Sequence, residues 1–158
     1  MVLHTTTQAP IKWKAANKQD VRLQFGALCY RIVKDKPQIL LVTSRDSGRW
    51  IIPKGWPMNG KTPSDAAMVE AYEEAGVKGR VFDYVIGMYG YDKRLEDLDR
   101  LHCVVSVFPM KVKRLLDEYP EAGERRRKWF SLKKAAKKVD ERELGKILRR
   151  FDPRVLRR

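Results

Sequence analysis

The sequence predicts an α/β fold, a mixed β-sheet flanked by helices in an α/β/α sandwich, from three observations. Apolar residues alternate along Val21 to Val33 and run almost unbroken from Leu101 to Phe108, as strands require. A helix with signals at both ends lies between these strands, from about residue 63 to 75. Leu144, Ile147, Leu148 and Phe151 then recur at helical spacing near the end of the chain.

Residues 1 to 17 read as a loosely held arm, and residues 18 to 158 as a single domain. In the first strand Val21, Leu23, Phe25, Ala27 and Cys29 share one face, with Arg22 and Gln24 on the other. Asp35-Lys36-Pro37 turns the chain into a short apolar strand, Gln38 to Thr43. Ser44 to Arg49 is a polar loop, after which Trp50-Ile51-Ile52 leads into Pro53-Lys54-Gly55. Thr62 is a good N-cap, Pro63 suits the first helical position, and Asp65 completes an acidic variant of the capping box. Gly76 supplies the left-handed residue that ends the helix. Val81 to Tyr91 is expected as one strand, followed by a charged loop from Asp92 to Asp99. Trp129-Phe130 is a short strand with a helix after Ser131, and Asp140 with Glu143 forms a capping box for the last helix. Gly145 weakens that helix by ~1 kcal/mol, and Pro153 should end it.

The helix from 63 to 75 carries the chemistry. At about 100° per residue, Glu74 lies roughly 40° from Glu70 on one side and Glu73 roughly 60° on the other. Met68, Ala71, Tyr72 and Ala75 are expected on the far face, against a core. Like charges at i and i+4 oppose helix formation by ~0.2–0.5 kcal/mol, so a cation is expected on that face. A hard divalent ion such as Mg²⁺ takes oxygen ligands and is held by one or two carboxylates plus substrate phosphates. A solvated acidic face is the bland alternative for an isolated E-x-x-E-E, and the loop before the helix is what turns the balance.

Residues 55 to 77 resemble the Nudix box, G-x5-E-x7-R-E-U-x-E-E-x-G-U with U apolar. Gly55, Glu70, Ala71, Glu73, Glu74, Gly76 and Val77 fall in register. Lys61 stands where the first glutamate is expected and Val69 where the arginine is expected. In the family that arginine helps to orient the glutamates, so here another group must do so. The runs R-W-I-I-P-K-G (Arg49 to Gly55), Y-E-E-A-G-V and K-W-F-S-L (Lys128 to Leu132) further resemble the diphosphoinositol polyphosphate phosphohydrolases.

The resemblance implies a Nudix-like sandwich with Glu70 and Glu74 holding Mg²⁺, with Mn²⁺ as its substitute, and Glu73 as the base that takes a proton from the attacking water. Helix geometry alone permits other permutations of these roles. The implied reaction is hydrolysis of a phosphoanhydride. Arg22, Ser44, Arg49, Lys54, Gly55, Arg100 and Arg127 match positions that contact substrate in that branch, and arginine grips phosphate bidentately. Diphosphoinositol polyphosphates and diadenosine polyphosphates both fit. Trp56 or Tyr91 could stack on an adenine or simply pack.

The chain of 158 residues carries a formal net charge of +14, which points to polyanionic partners. The block Arg125-Arg126-Arg127-Lys128, followed at once by Trp129-Phe130, reads as a strand whose alternate residues could face a pocket. RNA-end processing is an alternative, but Trp129, Phe130 and Phe151 are spaced for a core, which disfavours nucleic acid as the primary partner. The departures at Lys61 and Val69 leave a second alternative, a catalytically impaired scaffold that binds a phosphate-rich ligand. Cys29 and Cys103 lie in apolar runs and are expected as buried thiols. The two histidines, His4 and His102, lack the spacing of a zinc site. No membrane-length apolar run or signal-like segment is present, and a cytoplasmic location is expected.

Overall fold

Leu28, Leu40, Tyr89 and Val105 belong to one sheet, and the computed structural model, which describes residues 21–95 and 100–156, shows how it is assembled. Strands β1 (Val21–Val33), β2 (Lys36–Thr43), β3 (Trp50–Ile51) and β4 (Lys54–Gly55) precede helix α1 (Pro63–Ala75). After it come β5 (Val77–Val81), β6 (Gly87–Arg94), β7 (Arg100–Leu115) and β8 (Arg127–Ser131), then α2 (Leu132–Lys138) and α3 (Arg142–Arg150). The main path of the sheet is β3-β2-β1-β7-β5, with β4 on β1, β6 on β7 and β8 on β2. β1 and β7 run parallel from Val21 opposite His102 to Tyr30 opposite Lys111, and the other pairs are antiparallel. The sheet is mixed, as expected.

Strand alternation divides the core between its two faces. Ala27, Cys29, Leu40, Val42, Phe108 and Met110 pack with Ala67, Ala71 and Ala75 of α1. Leu28, Tyr30, Ile39, Leu41 and Val105 pack with Ala135, Leu144 and Leu148 of α2 and α3. This is the α/β/α arrangement. Both cysteines are buried free thiols.

Helix α1 has the expected bounds. The Thr62 hydroxyl accepts a hydrogen bond from the Asp65 amide, and Gly76 closes the helix at φ 65°. Loss of that cap costs about 1 kcal/mol. Thr62→Ala is therefore expected to lower the urea midpoint by a corresponding amount without changing the transition's slope.

Elsewhere long-range pairing displaces the expected boundaries. The first hairpin turns at Lys34 and Asp35, whose positive φ values of 50° and 63° give a two-residue turn, so β2 already begins at Lys36. The strand expected from Val81 to Tyr91 is two strands, β5 and β6, each paired with a different stretch of the long β7. The loop expected from Asp92 starts later because β6 continues to Arg94 opposite Arg100. Asp140 and Glu143 do not form the capping box: Glu141 is the N-cap residue of α3, and its side chain makes no cap bond because it is paired with Arg49. Gly145 lets α3 approach α2, since a Cβ there would lie 3.2 Å from the Ala136 carbonyl oxygen. Pro153 opens a 3₁₀ turn, Pro153–Leu156. The arm expected over residues 1 to 17 lies outside the described residues.

Candidate active site

The inner side of α1 is lined by the small residues Ala67, Ala71 and Ala75, which bring the helix close to the sheet. Glu74 points to the same side and is only 5% exposed, whereas Glu70 and Glu73 are half-buried on its flank. The expected division into a carboxylate face and an opposite core face is thus corrected, because the carboxylates form the edge of the buried face. Cys29 beneath the helix feels the same interior: burial, then the Glu74 charge, pushes its thiol up to about 12.

Gly55 makes room for Glu70. A Cβ at position 55 would lie 2.3 Å from the Glu70 Cδ, so the carboxyl group rests against bare backbone where β4 pairs with β1. There Glu70 and Glu74 share a hydrogen bond. Burial chiefly, and that bond next, raise the Glu74 carboxyl to about 9, so the neutral Glu74 donates to Glu70. Burial likewise raises Glu70.

Two basic residues gather over the Tyr91 ring nearby. Lys54, in register with Gly26, holds its Nζ 4.6 Å over the Tyr91 ring. Burial lowers its pKa, with the Glu74 charge acting the other way. Tyr91 donates a 2.6 Å hydrogen bond to the buried Gln24. The Arg49 guanidinium lies 6.0 Å from the same ring and pairs with Glu141, with Asp140 further off at 3.8 Å. Among the described residues, the second Glu141 oxygen is buried without a hydrogen-bond partner.

The loop between β7 and β8 closes the other side. Arg125 donates to Glu121 at 3.0 Å and to the Thr43 carbonyl at 3.1 Å, and its remaining nitrogen lies 3.8 Å from Glu74. Arg127 donates to the Ala75 carbonyl at 2.7 Å, giving the C-terminus of α1 a cation its own last turn lacks. The expected alternation is visible: Arg125, Arg127 and Trp129 reach the α1 side, while Arg126 packs over Trp50 and Phe130 enters the opposite core.

The structure therefore brings Glu70, Glu74, Gly55, Lys54 and Arg49 into one region. The Glu73 backbone carbonyl accepts from the Glu121 amide, which fixes that turn. Ser44 is bonded to Ser47 at the end of β2, Arg22 sits on β1 in register with Cys103, and Arg100 lies opposite Arg94 at the outer end of β7. Trp56 is partly covered by Lys93, whose Nζ is 5.1 Å from its ring. Sequence reasoning missed Arg125, Glu121, Gln24 and Glu141 as parts of this region. Only for Arg125 was there a signal, its place in the basic block before Trp129.

The donor set suits a hard cation. Glu70 and Glu74 supply carboxyl oxygens one helical turn apart, the ligand type a hard divalent ion takes once they are deprotonated. Among the described residues no set of three or more acidic, histidine or cysteine side chains surrounds an ion. A substrate's phosphate oxygens would complete the shell.

Comparison with known proteins bears on the family and the fold. A family model, the NUDIX domain, matches residues 22–151. Diphosphoinositol polyphosphate phosphohydrolase 3-alpha of Mus musculus is 30% identical over 130 residues, 81% of this chain and 75% of that protein. Nudix hydrolase 13, mitochondrial, of Arabidopsis thaliana is 30% identical over 131 residues, 72% of this chain and 65% of that protein. A C. elegans Ap4A hydrolase, solved as a binary complex, shares the fold with a TM-score of 0.62 at 22% identity, over 85% of this chain and 98% of that one.

Proposed function

The chain belongs to the Nudix hydrolase family, and we propose that it hydrolyses a phosphoanhydride bond in a polyphosphorylated small molecule, with Mg²⁺ held by Glu70 and Glu74. The reading rests on one observation above all: Glu70, seated against the bare backbone of Gly55, and the buried Glu74 stand one turn apart on the edge of α1. Diphosphoinositol polyphosphate and diadenosine polyphosphate are the substrates that fit best, since each presents a string of anionic groups to a protein of net charge +14.

Each side chain has a role that its place supports. Glu70 and Glu74 supply the oxygen ligands. An ion held there would supply neutralisation of charge on the phosphate oxygens and a more acidic water. Glu73, on the adjoining and more open sector of the helix, takes the proton of the attacking water. Lys54 and Arg49 receive the flanking phosphates from within this region, and the likeness to the phosphohydrolases adds Arg22, Ser44 and Arg100, while Arg127 and Gly55 secure the end of α1 and the seat of Glu70. Burial disfavours the charged form of Lys54, and a phosphate paired with it would offset that cost and favour the ammonium in the complex.

The test is a panel of diphosphoinositol polyphosphate, diadenosine polyphosphate, ADP-ribose and nucleoside triphosphates, incubated with the protein in Mg²⁺ or in a chelator. Cleavage of one of the first two, abolished by chelation, is the expected outcome. No cleavage of any member, with retained binding, would make the protein a phosphate-ligand sensor instead.

A further inference from the structure

We propose that Arg125 is the positioning residue for Glu74, supplying from the loop before β8 the orientation that the position of Val69 does not. The inference rests on the reading of Glu70 and Glu74 as ion ligands. Helix α1 has no cation in its last turn, and the half-buried Val69 cannot bond a carboxylate. Arg125 arrives from a separate segment with its side chain 10% exposed, beside a Glu74 side chain 5% exposed.

Two of its three nitrogens are fixed by the framework. Nε bonds Glu121, whose own amide is tied to the Glu73 carbonyl. Nη1 bonds the carbonyl of Thr43, a β2 residue bonded through its backbone and hydroxyl to Arg126. A planar fork anchored at two points has its third nitrogen aimed in one direction. That nitrogen, Nη2, faces Glu74 Oε1 at 3.8 Å. The Glu74 carboxyl group is thereby confined between Glu70 and Arg125.

A positioning group and a merely neighbouring charge are told apart by Arg125→Lys, which keeps the charge and loses the fork. A charge that acted by its sign alone would be replaced by lysine without loss of binding. Loss of a group that aims a ligand weakens binding, typically by roughly 10–100-fold.

The experiment measures Mn²⁺ dissociation constants by electron paramagnetic resonance on the substrate-free protein, for wild type, Arg125→Gln, Arg125→Lys and Glu74→Gln. Urea unfolding of each variant accompanies it. Arg125→Gln is expected to weaken Mn²⁺ binding about tenfold, and Arg125→Lys, which keeps the charge and loses the fork, by a smaller factor. A variant that binds Mn²⁺ as tightly as wild type or more tightly overturns the inference. If Arg125→Gln does not fold, the lysine variant decides in the same way. A wild type whose Mn²⁺ affinity is insensitive to Glu74→Gln overturns the reading of the site itself, and the inference with it.

Discussion

Glu74→Gln is expected to reduce Mg²⁺-dependent turnover by about two orders of magnitude or more while making the metal-free protein more stable at neutral pH. The first effect follows from the loss of one anionic oxygen ligand at the charge-bearing centre. The second follows from burial. The Glu74 carboxyl rises from an ordinary value of 4.5 to about 9 in the native state, so between those values the native protein binds more protons than the unfolded chain. Stability then falls as pH rises through that window. At pH 7 the cost is on the order of 3 kcal/mol. Glutamine carries no such slope, and its amide can donate to Glu70 in place of the lost proton. Urea unfolding in chelator should therefore show the variant ahead of wild type at pH 7 to 8, with the gap closing toward pH 4.5. Added Mg²⁺ should stabilise wild type and leave the variant unchanged. A wild type with no pH dependence in this range would mean that Arg125 already compensates an ionised Glu74.

What the sequence revealed and what it hid divide along the distance between interacting residues. Thr62, Pro63 and Gly76 act within one or two turns of their own helix, so the bounds of α1 were legible to the residue. The glutamates were legible as a cluster for the same reason. Whether they faced water was not, because the small side chains of Ala67, Ala71 and Ala75 draw α1 so close to the sheet that Glu74 is enclosed. The break between β5 and β6 is set by pairing with β7, whose partner residues lie some distance along the chain. Glu141 read as one of several acids before a helix, yet it pairs with Arg49, 92 positions earlier. Arg125 read as one member of a basic run, and its role depends on Thr43, 82 positions away. Local signals mark the glutamate-bearing helix, and tertiary contacts decide the electrostatic setting in which it stands.

Gly55→Ala separates those two levels, because it is expected to leave the fold nearly untouched and to impair the site. The added methyl carbon would lie 2.3 Å from Cδ and Oε1 of Glu70 and 2.8 Å from Oε2, the three nearest atoms among the described residues apart from its chain neighbours. The obstacle is the mobile end of a side chain, not backbone, so Glu70 can swing away at little cost. Position 55 is not in the left-handed region, and alanine reduces the freedom of the unfolded chain, which offsets strain by about 0.4–1 kcal/mol. The urea midpoint should thus move little. Glu70, however, can no longer rest against β4 beside Glu74, and a ligand displaced by about 1 Å can cost roughly 100-fold in rate. The variant should show that scale of loss in turnover with weakened Mn²⁺ binding, and partial recovery at high metal concentration. Gly76→Ala serves as the contrast. At φ 65° with Tyr119 at 2.5 Å, it should lose stability first, and activity only as the folded fraction falls. Wild-type turnover and metal affinity in Gly55→Ala would show that the placement of Glu70 against β4 has no part in the reaction.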